Sequence, residues 1–343
     1  MLEFGLQLRP YYQPSPLMYS VPLELVREII ESIFNDSTSL SACEEPGRTT
    51  KPIWSSIESI TLASKLYRAL AIERWFRTLF IKSSKDLYLM DNLFPEMKRT
   101  CARELHCVQL ASSDLQVWKL CGFERLAGIR LDWLPQAMMP LYGSQESEAL
   151  LPLTHVPSTV TELDIRGLPW PSPLIFYNIG KFLPKLEVLR LRQQRIWCCL
   201  CHTCSRIRFH APGPEKIIYK GGLGLPMHYA RALCSLPLLH TVCITVADFG
   251  LGHSTLADGK GQNENLWAGE CDSCMRIMYE DDAFRDRWVA RKQGIRSEGG
   301  NNEVVYNRPP ALRRVEWRFW QAGPGEDLDE LEIENESSGS EGN

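Results

Sequence analysis

The sequence predicts an α/β chain: a short N-terminal helical module followed by an array of strand-and-return units with cysteine-bearing insertions. Three observations carry this expectation. An apolar stripe at helical spacing opens after Pro22. A frame of apolar-x-x-apolar-x-apolar recurs six times between Leu105 and Trp317. The two longest gaps between frames each hold a Cys-x-x-Cys.

The first stripe reads as a helix for local reasons. Pro22 stands where a helix tolerates proline, in the first turn, where its missing N–H is not needed. Ser20 precedes it as a cap. Leu25, Ile29, Ile30 and Ile33 then fall on one side of a 3.6-residue period. A second run, Ile57 to Ile81, is also helical in pattern and carries Leu62, Leu66 and Leu70. Residues 35–52 separate the two runs and are rich in Ser and Thr. A polar loop of this length adds little closure entropy, because that cost grows slowly with length.

The repeating frame comprises Leu105-x-x-Val108-x-Leu110, Leu126-x-x-Ile129-x-Leu131, Val160-x-x-Leu163-x-Ile165, Leu186-x-x-Leu189-x-Leu191, Leu239-x-x-Val242-x-Ile244 and Leu312-x-x-Val315-x-Trp317. Its closing alternation is that of a strand. The steps between frames are 21, 34, 26, 53 and 73 residues. Residues 172–182 and 227–236 read as helices or turns returning to the next strand. A single such unit cannot bury its apolar face alone, so neighbours must stack. An irregular leucine-rich-repeat-like solenoid follows as the expected architecture. An ordinary α/β domain with a mostly parallel sheet is the alternative.

The N-terminal residues resemble the F-box, a three-helix module that docks on the Skp-type adaptor of a cullin–RING ubiquitin ligase. The matching residues are Val21-Pro22-x-Glu24-Leu25 with Ile29 and Ile30, then Leu62-Ala63-Ser64-x-x-Tyr67-Arg68-x-Leu70-Ala71, then Phe76-Arg77-x-Leu79. The family usually begins Leu-Pro where this chain has Val21-Pro22, and its first two helices are normally joined by a short connection. With the repeats and the cysteine pairs, the whole is similar to the F-box-like proteins found in mushroom-forming fungi. The resemblance implies a division into an extension (1–19), the helical module (20–81), the repeat domain (82–325) and an acidic tail (326–343). The repeat domain would carry insertions at 197–226 and 247–310. It further implies that Pro22, Leu25, Ile29, Ile30, Ile33, Leu62, Leu66 and Leu70 contact the adaptor, while the repeat domain presents a target protein. These residues would also form the module's own core, and the sequence does not separate the two roles.

The cysteine pairs have metal-knuckle spacing. Zinc takes four ligands in a tetrahedron, and Cys-x-x-Cys lets two thiolates of one tight turn reach the same ion. Cys201 and Cys204 with Cys271 and Cys274 would close one structural zinc site. The 66 residues between Cys204 and Cys271 exceed the common ribbon spacing, but insertions on neighbouring turns of a repeat array can meet. Cys198-x-x-Cys201 meets the same spacing, and His202 is a further candidate ligand. Buried apolar cysteines and a redox pair are the other readings of these residues. A helix is expected over residues 275–292, with Met278, Phe284 and Trp288 as its apolar contacts.

Composition bounds the function. The 343 residues are 44% hydrophobic and include 10 tryptophans, as a folded protein requires. No apolar run reaches the ~18 residues of a membrane span, and no basic-then-apolar leader precedes Ser20. An intracellular address, cytoplasmic or nuclear, is expected, and the 12 cysteines are then thiols or metal ligands. Eight of the 42 acidic residues lie between Glu326 and Asn343, which has no basic ones, so the rest holds 34 against 38 basic residues, a net of +4. That segment reads as a disordered tail. The basic density falls far short of a nucleic-acid binder.

Two sequence matches to catalytic motifs lack their partners. Asp248-Phe249-Gly250 has no catalytic-loop His-Arg-Asp upstream, and Gly221-Gly222-Leu223-Gly224 lacks the Lys-Ser/Thr of a phosphate loop. No nucleophile–base set or paired carboxylates stand out. The expectation is a non-enzymatic substrate receptor. The alternative is a zinc-stabilised repeat scaffold without any ubiquitin-ligase link.

Overall fold

A computed structural model describes residues 22–36, 46–49, 51–109, 116–133, 151–168, 173–198, 201, 203–209, 215–220, 224–250, 269–284, 286–287 and 308–321. Ser20, Val21, Leu110, His202, Trp288 and the acidic tail lie outside these residues.

Three helices open the described chain: α1 (Leu23–Asp36), α2 (Ser55–Ala63) and α3 (Lys65–Arg77). Ser64 separates the last two. Its extended backbone ends α2, and its hydroxyl caps α3 by accepting the Tyr67 N–H at 3.1 Å. The stripe of α1 that turns inward is Val26, Ile30 and Phe34, which pack with Ile57 against Ile33, Ile60, Tyr67, Leu70 and Trp75. Leu25 and Ile29 sit one position earlier in the period, about 100° round the helix. Arg74 of α3 holds Glu31 of α1 at 2.7 Å.

Helix α3 runs directly into β1 (Thr78–Ile81), so the end of the helical module assigned from sequence is the first strand of a sheet. That sheet has eight strands. β1, β2 (Glu104–Gln109), β4 (Gly128–Trp133), β6 (Glu162–Leu168), β7 (Val188–Gln193), β11 (Thr241–Asp248) and β12 (Arg314–Gln321) lie side by side in chain order, and all are parallel. β10 (Lys216–Lys220) pairs antiparallel with β12 at the far edge. It belongs to the first predicted insertion, and its exposed Lys216 and Lys220 keep that edge from pairing further. Two short pairs accompany the sheet: β3 (Trp118–Lys119) with β5 (Leu153–Thr154), and β8 (Ile196–Trp197) with β9 (Cys204–Ser205).

The repeat has a backbone cause. The Arg103 N–H donates to the Arg77 carbonyl. From there each turn's carbonyl accepts two N–H groups of the next turn: Arg103 from Ala127 and Gly128, Ala127 from Thr161 and Glu162, Thr161 from Glu187 and Val188, Glu187 from His240 and Thr241, His240 from Arg313 and Arg314. A carbonyl has two lone pairs, and this ladder uses both. It fixes one register across the sheet. Leu79, Leu105, Ile129, Leu163, Leu189, Val242 and Val315 form one inward row. Ile81, Cys107, Leu131, Ile165, Leu191, Ile244 and Trp317 form the next. Every one is buried, and all join one core with residues of α6 (Pro173–Phe182) and α7 (Met227–Leu233).

That register corrects the first frame. The residues aligned with Leu126, Ile129 and Leu131 are Ala102, Leu105 and Cys107, three positions before the sequence assignment. Val108 falls on the opposite face of β2. An earlier unit, Phe76-x-x-Leu79-x-Ile81, extends the array by one strand. The sequence missed both because Ala and Cys are weak apolar signals and Phe76 belongs to a helix.

Gly167 shows why β6 tolerates an irregularity. Its φ is +75°, and a Cβ there would stand 1.8 Å from the Trp133 carbonyl oxygen. The register between β6 and β7 shifts at this point. Helices α4 (Ser84–Leu93) and α5 (Pro95–Thr100) lie between β1 and β2 in the chain, and α8 (Asp272–Glu280) precedes β12. Among the described residues, no helix is long and apolar enough to cross a membrane.

Candidate metal centre and exposed helical face

β7 and β11 are neighbours in the sheet, so the segments leaving their C-terminal ends start side by side. The first forms the β8–β9 hairpin, whose turn is closed by the Cys198 N–H donating to the Thr203 carbonyl at 2.9 Å. The second reaches α8, where Cys271 is the N-cap and Cys274 lies in the first turn. The sulphurs of Cys198, Cys201, Cys271 and Cys274 all lie within 4.8 Å of one another. Cys201 Sγ stands 3.7 Å from Cys271 Sγ, and the Cys271 N–H donates to Cys198 Sγ at 3.3 Å. A zinc ion with bonds of about 2.3 Å to a sulphur tetrahedron requires edges of about 3.8 Å. A disulfide would need about 2.05 Å.

Three of the four thiols are buried and Cys201 is exposed. Burial pushes the Cys274 thiol up to about 12, and the neighbouring Cys198 pushes it further in the same direction. A divalent cation would replace the protons of all four thiols and satisfy them as thiolates. The start of α8 favours negative charge at Cys271 and Cys274. Four protein sulphurs fill a tetrahedral shell and leave no position for a water, which is the pattern of a structural site.

The converging set among the described residues includes the Cys198-x-x-Cys201 pair. Cys204 has its backbone in β9 opposite Trp197. Cys201, Cys271 and Cys274 are common to this set and the one expected from the sequence. The hairpin strands pair Trp197 with Cys204, which puts Cys198 within the turn. Helix α8 starts before the expected residue 275 and ends at Glu280, with Phe284 packed on the main core beyond it.

The candidate adaptor residues divide. Leu25, Ile29, Leu62 and Leu66 are 49%, 56%, 69% and 51% exposed. Pro22 is exposed as well, whereas Ile30 is buried and Ile33 and Leu70 are half-buried against the module's core. Sequence reasoning missed Ile53 and Trp54, also exposed, which lead into α2. An apolar pair at the end of a polar segment was the available signal. Trp54 stands edge-on to Trp75 at 5.1 Å, and Lys51 lies 4.1 Å over the Trp75 ring. Burial lowers the Lys51 ammonium to about 8.

A third cluster ties the module's loop to the sheet. Asp132 is fully buried. Its Oδ2 accepts the Gly47 N–H at 2.6 Å, His106 Nε2–H at 2.6 Å and Arg130 Nη2 at 2.8 Å, while Oδ1 accepts Arg130 Nε at 2.8 Å. Burial alone would raise the Asp132 carboxyl, but the His106 and Arg130 hydrogen bonds outweigh it and hold the group below its ordinary range. Burial, with the Arg130 and Arg166 charges, lowers His106 more than Asp132 raises it, so the ring is neutral with its proton on Nε2. Asp248, the aspartate of the Asp-Phe-Gly match, is likewise structural. It accepts the Phe209 and Gly250 N–H groups and the Gln321 amide.

Compared with known proteins, the chain matches no family model, no curated protein and no solved structure.

Proposed function

We propose that this chain is an F-box-type substrate receptor of a cullin–RING ubiquitin ligase. Its helical module would dock a Skp-type adaptor, and its leucine-rich-repeat-like array would present a target protein. The supporting observation is the division of labour in α1–α3. Val26, Ile30, Phe34 and Ile57 suffice for the module's core, while Leu25, Ile29, Leu62 and Leu66 stand in solvent. Leu25 and Ile29 stand one turn apart on α1, and exposed apolar surface on a folded module marks an interaction site. Strand order and the turn-to-turn carbonyl ladder favour the solenoid reading. Catalysis would belong to other subunits, with this chain contributing proximity and orientation.

The test is co-purification with a recombinant Skp-type adaptor. Leu25→Asp with Ile29→Asp is expected to abolish binding while leaving thermal unfolding unchanged, since both side chains are exposed. Failure of well-folded wild-type protein to bind would leave the zinc-stabilised scaffold as the better reading. The cysteine cluster supports one structural zinc in either case. Elemental analysis should find one zinc per chain. Cys198→Ser should lower that occupancy, and Cys204→Ser should not.

A further inference from the structure

The four sulphurs of the cysteine cluster are not equivalent. Cys198, Cys271 and Cys274 are buried, and Cys201 is exposed. A small reactant arriving from solvent therefore meets Cys201 first. A hydroxyl stands against that sulphur. Thr203 Oγ1 lies 2.9 Å from Cys201 Sγ, and Ser205 Oγ lies 2.9 Å from Thr203 Oγ1. A thiolate can only accept, so once Cys201 has lost its proton Thr203 is the donor, and the Thr203 oxygen can accept from Ser205 in turn. Hydrogen bonds to an ionised acceptor are the strong ones. The pair of hydroxyls thus supports negative charge on the sulphur that solvent reaches.

Cys271 is the second member. Its Sγ lies 3.7 Å from Cys201 Sγ, in contact but well short of the ~2.05 Å of a bond. Cys271 is also the N-cap of α8, where the helix favours a negative side chain. A nucleophilic sulphur therefore stands directly against the one that is exposed.

We infer that Cys201 and Cys271 form an oxidation-sensitive pair: a peroxide oxidises Cys201, Cys271 resolves it as a disulfide, and the centre gives up its metal. The loss of metal rests on the zinc reading of the cluster; the disulfide does not. In the first step the Cys201 thiolate attacks hydrogen peroxide. An S–O bond forms, the O–O bond breaks and hydroxide leaves, which makes Cys201 a sulfenic acid. In the second step the Cys271 thiolate attacks Cys201 Sγ. The S–S bond forms, the S–O bond breaks and a second hydroxide leaves. Two electrons pass from the two sulphurs to one peroxide, and a dithiol reverses the bond by exchange. Cys198 and Cys274 then remain as thiolates, and two sulphurs do not fill the four-ligand shell of a structural zinc. A covalent link between residues 70 apart replaces the metal link between the two insertions.

The test uses the full-length chain purified under reducing conditions, with hydrogen peroxide as oxidant. Elemental analysis before treatment measures zinc by itself. Time-resolved peptide mapping under non-reducing conditions then reads the disulfide, and a chromogenic chelator reads zinc release. A Cys201–Cys271 peptide pair should be the first disulfide to appear, in step with the released zinc, and dithiothreitol should reverse it. Cys121 is exposed but lies outside the cluster, so it is the internal reference. Cys201 should react roughly tenfold faster than Cys121, since thiolate character and exposure together set susceptibility. Thr203→Val keeps all four cysteines. It should hold its zinc and slow Cys201 oxidation about threefold or more, the loss of one charge-assisted donor. A chain found to hold no zinc should still form the Cys201–Cys271 bond, so the two readings fail separately. A first disulfide between any other cysteines, equal rates at Cys201 and Cys121, zinc loss without a disulfide, or indifference to Thr203→Val would overturn the inference.

Discussion

The strand array and the helical module spend their apolar residues in opposite ways. In the array, each strand of the parallel set turns at least two apolar residues inward, and the two rows shared by all seven strands are buried in a single core. In the module a four-residue core suffices, and side chains of the same kind remain about half exposed one position away on the same helix. Apolar periodicity in the parallel strands is thus accounted for by folding alone. In the module it exceeds what folding uses, and the surplus is what points to a partner.

The largest expected effects belong to the array. Leu189→Ala, fully buried on a central strand, should cost about 2–5 kcal/mol. Leu25→Ala, on the exposed stripe, should stay within about 0.5 kcal/mol. Urea unfolding of both variants measures the difference, and similar values for the two would dissolve the contrast. Asp132→Asn comes next. It leaves Arg130 without its buried counter-charge while keeping one acceptor, which should cost about 3 kcal/mol, the lower end for a broken buried pair.

The pH dependence of Asp132 and His106 has a definite sign. Both groups have folded values below their ordinary ones, so the unfolded chain binds more protons than the folded one as pH falls. Stability is complete above the unfolded histidine value of about 6.5 and declines below it through His106. A second decline through Asp132 starts near the unfolded value of about 3.9. Thermal melts between pH 7 and pH 3 should show both, and Asp132→Asn should remove the second. A melting temperature that rises on acidification from pH 7 to pH 5 would contradict a neutral His106.

Much of the array was legible because strand burial repeats with period two and the frame recurs. Ile129, Leu163, Leu189, Val242 and Val315 fall in one register as the spacing predicts. Parts that escaped have physical reasons. Ala102 and Cys107 are too weakly apolar to announce a core position. β10 lies beside β12, nearly a hundred residues on, and nothing local encodes that pairing. In the metal centre, three of the four converging cysteines were legible, but the register of the first knuckle depended on which residues the β8–β9 hairpin pairs. In α1, one-residue steps turn a side chain by about 100°. A stripe containing both Ile29 and Ile30 therefore could not show which of them faced inward.

Gly167→Ala should disturb the array at a single joint. The added methyl would collide with the Trp133 carbonyl, and the positive φ is strained for any side chain. A loss of about 2 kcal/mol is expected from the combined effect. It should leave adaptor binding intact, because Leu25, Ile29, Leu62 and Leu66 lie on the other core's module.

The smallest effect tests whether the two regions unfold together. Ser64→Ala removes the hydroxyl that caps α3 and should cost about 1 kcal/mol. Three features couple the regions: α3 continues into β1, Phe76 packs on the array's core, and the Gly47 N–H donates to Asp132 of β4. One feature separates them, since the module's buried residues form their own cluster. The cap lies at the end of α3 remote from β1, so its loss should act on the module first. Hydrogen exchange should quicken at the amides of α2 and the first turns of α3 while those of β6 and β7 hold their protection. Equal loss of protection in both would make module and array one cooperative unit, and the exposed apolar stripe would then belong to a rigid face rather than to a module with its own stability.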